Sequence, residues 1–217
     1  MSNLDLSGVY FRHLTSLPWI LEDLSLHLSD GETALLVGDN GSGKSTLGKL
    51  IAGLVTAERG NVLIDKSDLA SIEVSMRPKR VVYMGQTSYL QFFCSSIDEE
   101  IRFAAKISGA VLSEVYPAYP QFRLPDDRTL KPMDLPYTAM WRLQLFLFSV
   151  VFNPSVLFID EIVAPGARAQ MDALEAVVAR RSENGQVTIL AYQRVLRIEA
   201  VPKLRRFHLL EGRLHEM

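Results

Sequence analysis

A glycine-rich loop near residue 40 constrains the fold more than any other feature of this 217-residue chain. The apolar residues 34–37 lead into the loop, and apolar residues with helical spacing follow it from residue 44. The loop fits the spacing G-x-x-x-x-G-K-[ST], in which glycines allow backbone N–H groups to turn towards phosphates. Strand, loop and helix in this order predict a nucleotide-binding site. Its residues are Gly38, Asn40, Gly41, Ser42, Gly43, Lys44, Ser45 and Thr46.

The polar residues at the end of the loop have distinct chemical roles. Lys44 supplies a mobile ammonium group for the β- and γ-phosphates, and the hydroxyl of Ser45 is a ligand for Mg²⁺. A helix that begins at Lys44 also directs its positive N-terminus at the phosphates. ATP and Mg²⁺ are therefore the expected cofactors.

A second apolar stretch, residues 156–159, ends in the carboxylates of Asp160 and Glu161. Asp160, at the end of a strand, suits a ligand that holds Mg²⁺ directly or through water. Glu161 is one residue further on, where it would orient or deprotonate an attacking water. Taken alone, the pair fits a buried strand followed by two solvated acids. The phosphate loop favours the metal-binding interpretation.

Strands alternate with helices along most of the sequence, which predicts an α/β fold with a mostly parallel sheet. Alternating apolar residues at 4–11 and 20–28 predict two strands before the loop. Between residues 87 and 136 the pattern is weak, with one clear helix at 97–107. A long helix is expected at about 139–152.

Composition excludes several classes of protein. The formal net charge of −2 disfavours a basic nucleic-acid-binding protein, so no nucleic acid is expected as a partner. A single cysteine, Cys94, excludes an intrachain disulfide and a cysteine-rich zinc site. The apolar run 143–152 is too short to cross a bilayer, which takes about 20 residues. With no export signal visible, we expect a cytoplasmic protein.

With these motifs in place, the sequence resembles the nucleotide-binding domain of ATP-binding-cassette (ABC) proteins. Residues 81–86 are similar to the family's Q-loop strand, and Asn153-Pro154 and residues 210–213 match as well. The resemblance implies a P-loop NTPase fold with an N-terminal antiparallel β subdomain and an inserted helical subdomain. We therefore expect one domain, 1–217. Its nucleotide-binding core is 1–86 and 151–217, and its helical insert is 87–150.

The resemblance also implies a function. Such a chain is an ATPase subunit that dimerises on ATP, with an identical or a different ATP-binding subunit. It couples ATP binding and hydrolysis to an integral-membrane transporter subunit, and it lies on the cytoplasmic face of the membrane. By the same resemblance, Gln86 senses the γ-phosphate and is a further metal ligand. The implied catalytic residues are Lys44, Gln86, Glu161 and Gln193.

The sequence departs from the family at two motifs that serve hydrolysis. Residues 135–139, Leu-Pro-Tyr-Thr-Ala, stand where the family has its L-S-G-G-Q signature. Pro136 has no N–H to donate, and Tyr137 adds bulk where a backbone must approach phosphate. Gln193 stands at the position of the switch histidine and cannot carry the charge that histidine can.

Alternatives remain open because of these departures. The chain is an active transporter ATPase, a hydrolysis-impaired regulatory or ATP-sensing cassette, or the degenerate half of a heterodimer. Residues 164–167 also lack the aspartate of the family's D-loop. The aromatic residue that would stack on adenine is Tyr10, Phe11 or His13.

Overall fold

The computed structural model describes residues 2–160, 168–193 and 201–217. Its centre is a six-stranded sheet in which five strands are parallel and the edge strand β10 is antiparallel to β9. The order of strands is β10-β9-β3-β8-β7-β6. These strands are β3 (Thr33–Val37), β6 (Val81–Met84), β7 (Val156–Asp160), β8 (Val187–Tyr192), β9 (Leu204–Leu210) and β10 (Arg213–Glu216).

A second, antiparallel sheet forms from the N-terminal part of the chain, in the order β2-β1-β4-β5. Its strands are β1 (Leu4–Phe11), β2 (Leu21–Leu28), β4 (Arg59–Ile64) and β5 (Ser67–Asp68). In β2, Leu24, Leu26 and Leu28 are buried and the residues between them are exposed, as the alternation predicted. The mostly parallel sheet and the antiparallel N-terminal sheet are therefore confirmed.

Helices cover the parallel sheet and form the connection between β6 and β7. The α-helices are α1 (Lys44–Ile51), α2 (Arg77–Arg80), α3 (Ile97–Ser108), α4 (Leu112–Val115), α5 (Tyr137–Phe146) and α6 (Arg168–Glu183). Shorter 3₁₀ turns lie at Leu69–Ser71, Val74–Met76, Ser88–Gln91, Tyr116–Phe122 and Pro132–Asp134. No helix of the described residues combines the length and the apolarity needed to cross a membrane.

Three elements differ from the sequence predictions. The apolar spacing over 44–54 predicts a helix of that length, but α1 ends at Ile51, because Gly53, with φ of +68°, lets the chain turn back so that its N–H bonds the Leu50 carbonyl. The helix predicted at 139–152 begins at Tyr137 and widens into a π-helical turn over Leu147–Val151. Strand β10 was not predicted, because its alternation is short and largely exposed.

The parallel sheet separates two apolar clusters. Successive residues of β7 point to opposite faces, so Leu157 and Ile159 join the cluster that contains the helices between β6 and β7. Phe158 points the other way, into the cluster formed with α1 and the N-terminal sheet. Because all five residues of β7 are buried, Asp160 is carried to the end of a strand that packing fixes on both sides.

Candidate nucleotide-binding site

Four of the predicted site residues follow or end neighbouring parallel strands. Gly38 comes directly after β3, Gln86 follows β6, Asp160 is the last residue of β7, and Gln193 comes directly after β8. The four strands are parallel and lie side by side, so their carboxyl ends share one edge of the sheet. Ligands of open α/β sheets bind outside this edge. The fold therefore gathers the loop, the acid and both glutamines there.

Glycines give the phosphate loop a path that other residues would disturb. Gly41 and Gly43 have φ of +83° and +104°, in the left-handed region. At Gly38 the restriction is space, since an added Cβ would lie 2.6 Å from the carbonyl oxygen of Leu209. The loop thus depends on glycine for two different physical reasons.

Lys44 begins α1 and folds back over the loop. Its Nζ donates to the carbonyl oxygens of Gly38, at 2.6 Å, and Asp39, at 2.9 Å, and lies 3.4 Å from Ser42 Oγ. No side chain caps the start of α1, where Gly43 is the N-cap. The positive helix end and the ammonium group are therefore directed at the same loop.

Asp160 is only 1% exposed and is hydrogen-bonded to a residue of the neighbouring strand. The hydroxyl of Tyr83 donates to its Oδ2 at 2.6 Å. Burial, followed by the hydrogen bond to Asp160 and its charge, raises the pKa of Tyr83 well above its usual value, while a hydrogen bond with Ser45 lowers it. Within the described ranges, Oδ1 of Asp160 has no hydrogen-bond partner. That atom is available to a cation.

The remaining predicted residues are exposed, buried or outside the described residues. Gln86 and Gln193 are both exposed at the sheet edge. Glu161 and the segment 164–167 lie outside the described residues. Among the aromatic candidates, Phe11 is buried in the core and offers no ring face, whereas His13 is exposed and Tyr10 packs edge-on against Trp19 at 5.3 Å.

The residues that stand at the family's signature form the start of α5. Pro136 is the N-cap of the helix, and Tyr137 is its first residue. The Tyr137 side chain is 47% exposed, and its hydroxyl lies 3.5 Å from the carbonyl oxygen of Gln86. A bulky aromatic residue therefore stands at the start of α5, beside the segment that follows β6.

Two aromatic residues that the sequence predictions did not single out make specific contacts in the structure. Tyr83 had been assigned only to the Q-loop strand, and nothing in its pattern signals that its hydroxyl contacts Asp160. Trp19 lies between β1 and β2, under the guanidinium group of Arg12 at 4.1 Å.

These features define a mononucleotide-binding α/β protein of the P-loop class. Residues 21–164, well over half of the chain, match the family model described as ABC transporter. The chain belongs to the ABC transporter family.

Curated relatives from bacteria agree with this assignment. The spermidine/putrescine import ATP-binding protein PotA of Haemophilus ducreyi is 31% identical over 146 residues, which are 65% of this chain and 38% of that protein. The energy-coupling factor transporter ATP-binding protein EcfA1 of Ligilactobacillus salivarius is 30% identical over 112 residues, 52% of this chain and 40% of that protein. The chain spans about two fifths of the length of these relatives.

Solved structures extend the likeness to the whole chain. An ATP-binding subunit of an ABC transporter superposes with a TM-score of 0.85 at 22% identity, covering 99% of this chain and 89% of that chain. A bacterial Atm1-family ABC exporter with ATP bound gives a TM-score of 0.81 at 26% identity, covering 99% of this chain and 38% of that chain. The match to the ATP-binding subunit shows the fold alone, and the exporter agrees with it.

Proposed function

We propose that this chain is the ATP-binding subunit of a membrane transporter, which closes a dimer on ATP and couples that closure to transport. One observation carries the proposal. The ammonium group of Lys44, the glycine loop and the buried carboxylate of Asp160 converge at one edge of the parallel sheet. Such an arrangement binds a nucleotide polyphosphate together with a divalent cation.

The loop residues are the proposed phosphate cradle. Backbone N–H groups contact the phosphates, and Lys44 neutralises charge on the β- and γ-phosphates. The cradle consists of Gly38, Asn40, Gly41, Ser42, Gly43, Lys44, Ser45 and Thr46.

The metal-side residues fit Mg²⁺, which takes oxygen ligands and carboxylates in particular. Asp160 has a buried oxygen without a partner in the described residues, and Ser45 lies in the first turn of α1, directly after Lys44. Ser45, Asp160 and the side chain of Gln86 are the proposed ligands. When bound, the cation would neutralise charge on the phosphates.

Hydrolysis requires residues beyond the cradle. We assign Glu161 to orient or deprotonate the attacking water, and Gln86 and Gln193 to contact the γ-phosphate or that water. Gln193 can donate and accept hydrogen bonds but cannot become a cation. We therefore expect slower turnover than a site with a switch histidine would give.

We propose the kind of second ATP-binding subunit from the residues at which this chain departs from the family's signature. Pro136 and Tyr137 would face the nucleotide of the partner. Pro136 has no N–H to donate to a γ-phosphate, and Tyr137 adds bulk where the backbone must approach it. This chain's own cradle is not affected by that change. A different partner with an intact signature would complete it, so we favour a heterodimer in which one site hydrolyses efficiently.

The contact with an integral-membrane subunit is proposed for an apolar surface on the helical connection. This insert patch consists of Leu90, Phe93, Phe103 and Ile107, which are 68%, 76%, 43% and 39% exposed. The rings of Phe93 and Phe103 lie 6.4 Å apart. The buried carboxylate of Glu100 accepts the backbone N–H groups of Phe93 and Cys94, which holds Phe93 outwards. Exposed aromatic residues in contact with each other, as Phe93 and Phe103 are, favour a protein partner at this surface.

We further propose that residues 1–86 and 151–217 act as the nucleotide-binding core and residues 87–150 as the inserted helical subdomain. The patch belongs to the insert, and the cradle belongs to the core. In this arrangement the chain works on the cytoplasmic face of the membrane, where ATP is available.

Copurification from the native cell tests this function. A tagged wild-type chain should retain an integral-membrane subunit and a second ATP-binding subunit. Phe93→Ser should lose the membrane subunit, whereas Val74→Ser, at a residue 71% exposed outside the insert, should keep it. Recovery of the wild-type chain with no membrane protein would contradict the proposal.

A further inference from the structure

Tyr83 connects the two sides of the candidate metal site. It lies in β6, directly opposite Phe158 of β7. Its hydroxyl donates to Asp160 Oδ2 at 2.6 Å. Its ring also packs against α1 at Gly48, so one side chain contacts both the carboxylate at the end of β7 and the helix that follows the loop.

The Tyr83 ring has little freedom to leave this position. An added Cβ at Gly48 of α1 would lie 2.7 Å from Tyr83 Cε2, so the helix and the ring are in close contact. On the other side, a Cβ at Gly85 would lie 3.1 Å from Cε1. The ring of Phe158 packs at 5.8 Å between centroids. Packing on these sides fixes where the hydroxyl is presented.

The hydrogen bond leaves the two oxygens of Asp160 in different states. Oδ2 is occupied by Tyr83, whereas Oδ1 has no partner in the described parts of the chain. A carboxylate held by one oxygen cannot rotate freely, so the other oxygen keeps one orientation. Hydrogen bonds of this kind orient metal ligands and tune their affinity.

We propose that Tyr83 is a positioning residue that orients Asp160 for a divalent cation. This inference rests on the proposed function, because it requires that nucleotide and cation bind at the sheet edge. It assigns no contact between Tyr83 and the phosphates. A residue that only filled space would contribute through its ring, and phenylalanine would replace it without loss.

The prediction separates binding of the cation from binding of the nucleotide. In the Tyr83→Phe variant the ring remains, so metal-free ATP should bind with the wild-type affinity. Manganese, used as a spectroscopic probe, should bind the ATP-loaded variant about tenfold or more weakly, as is typical when a hydrogen bond to a metal ligand is lost. Tyr119→Phe is the matched control. It removes a buried hydroxyl that donates to the Pro125 carbonyl, away from the site.

The experiment is a titration of the full chain with MnCl₂ followed by electron paramagnetic resonance, with ATP binding in EDTA measured in parallel. Selective loss of manganese affinity in Tyr83→Phe supports the inference. The inference is overturned if Tyr83→Phe binds manganese with the wild-type affinity, or if its affinities for ATP and for manganese fall equally. If the wild-type chain binds no ATP, the proposed function fails, and the inference fails with it. Should Tyr83→Phe not fold, Tyr83→Met, which also lacks the hydroxyl, must show the same selective loss.

Discussion

The hydroxyl of Tyr137 lies 3.5 Å from the backbone carbonyl oxygen of Gln86, joining the first residue of α5 to the segment that follows β6. By the resemblance drawn from the sequence, we expect this side chain to stand where the family's signature has a small residue. The departure in sequence therefore has two consequences. In the proposed dimer, Tyr137 would fill the surface that faces a partner's nucleotide, and its hydroxyl would join that surface to Gln86, a proposed γ-phosphate contact of this chain's own site.

Replacing the two unusual residues should restore hydrolysis at the partner's site. Pro136→Ser combined with Tyr137→Gly returns a backbone N–H and removes the ring. We expect ATP turnover of the copurified complex to rise about tenfold or more, since one well-placed donor to a developing oxyanion is worth about 10²–10³ in rate. Tyr137→Phe is the control, because it removes only the hydroxyl. Unchanged turnover in the double variant would show that the dimer does not close over this surface.

Arg181 should contribute to stability through its buried hydrogen bonds. Its guanidinium group donates to the carbonyls of Pro154 and Val187 and to the Thr188 hydroxyl, and burial lowers its pKa. Arg181→Leu removes these donors, and an unsatisfied buried group costs about 1–3 kcal/mol. We expect the free energy of unfolding, measured with urea, to fall by about 2 kcal/mol.

The neighbouring exposed residue provides the comparison. Arg180→Leu makes the same replacement at the preceding residue of α6, which is exposed. It should alter the free energy of unfolding by less than about 0.5 kcal/mol. If Arg181→Leu is as stable as the wild type, or more stable, removing the buried charge stabilises the protein by at least as much as losing the hydrogen bonds destabilises it.

Glu161 should separate ATP binding from ATP hydrolysis. Glu161→Gln keeps the size and hydrogen-bonding capacity of the side chain but removes a base. ATP affinity should therefore persist, while turnover of the copurified complex should fall at least about a hundredfold, which is within the range of general-base catalysis. Asp172→Asn, at an exposed acid on α6, is the control. Turnover that is equal in Glu161→Gln and in the wild type would remove Glu161 from the catalytic role.

Local sequence patterns were sufficient to predict the order of elements around the loop, because each carries its own periodicity or turn residues. The strand 156–159 is fully buried and reads directly from its apolar run. Strand β10 could not be read this way, since it pairs with β9 and buries little. The end of α1 depends on the positive φ of Gly53, which only the folded chain displays.

The site was partly predictable for the same reason. Lys44, Ser45 and Asp160 belong to motifs whose chemistry is local, so their spacing reveals them. Tyr83 is 77 residues from Asp160, and only the pairing of β6 with β7 brings them together. The choice among Tyr10, Phe11 and His13 likewise needed the burial of Phe11.

The central claim is that the loop and the acid at the sheet edge bind MgATP, and the ATP affinity of Lys44→Ala tests it most directly. The matched control is Lys49→Ala, which removes an exposed lysine from the same helix. We expect calorimetry to show ATP binding by the wild type and by Lys49→Ala, and at least a hundredfold weaker binding by Lys44→Ala, because the loop then loses its ammonium group. ATP binding of equal strength in all three proteins would contradict the account.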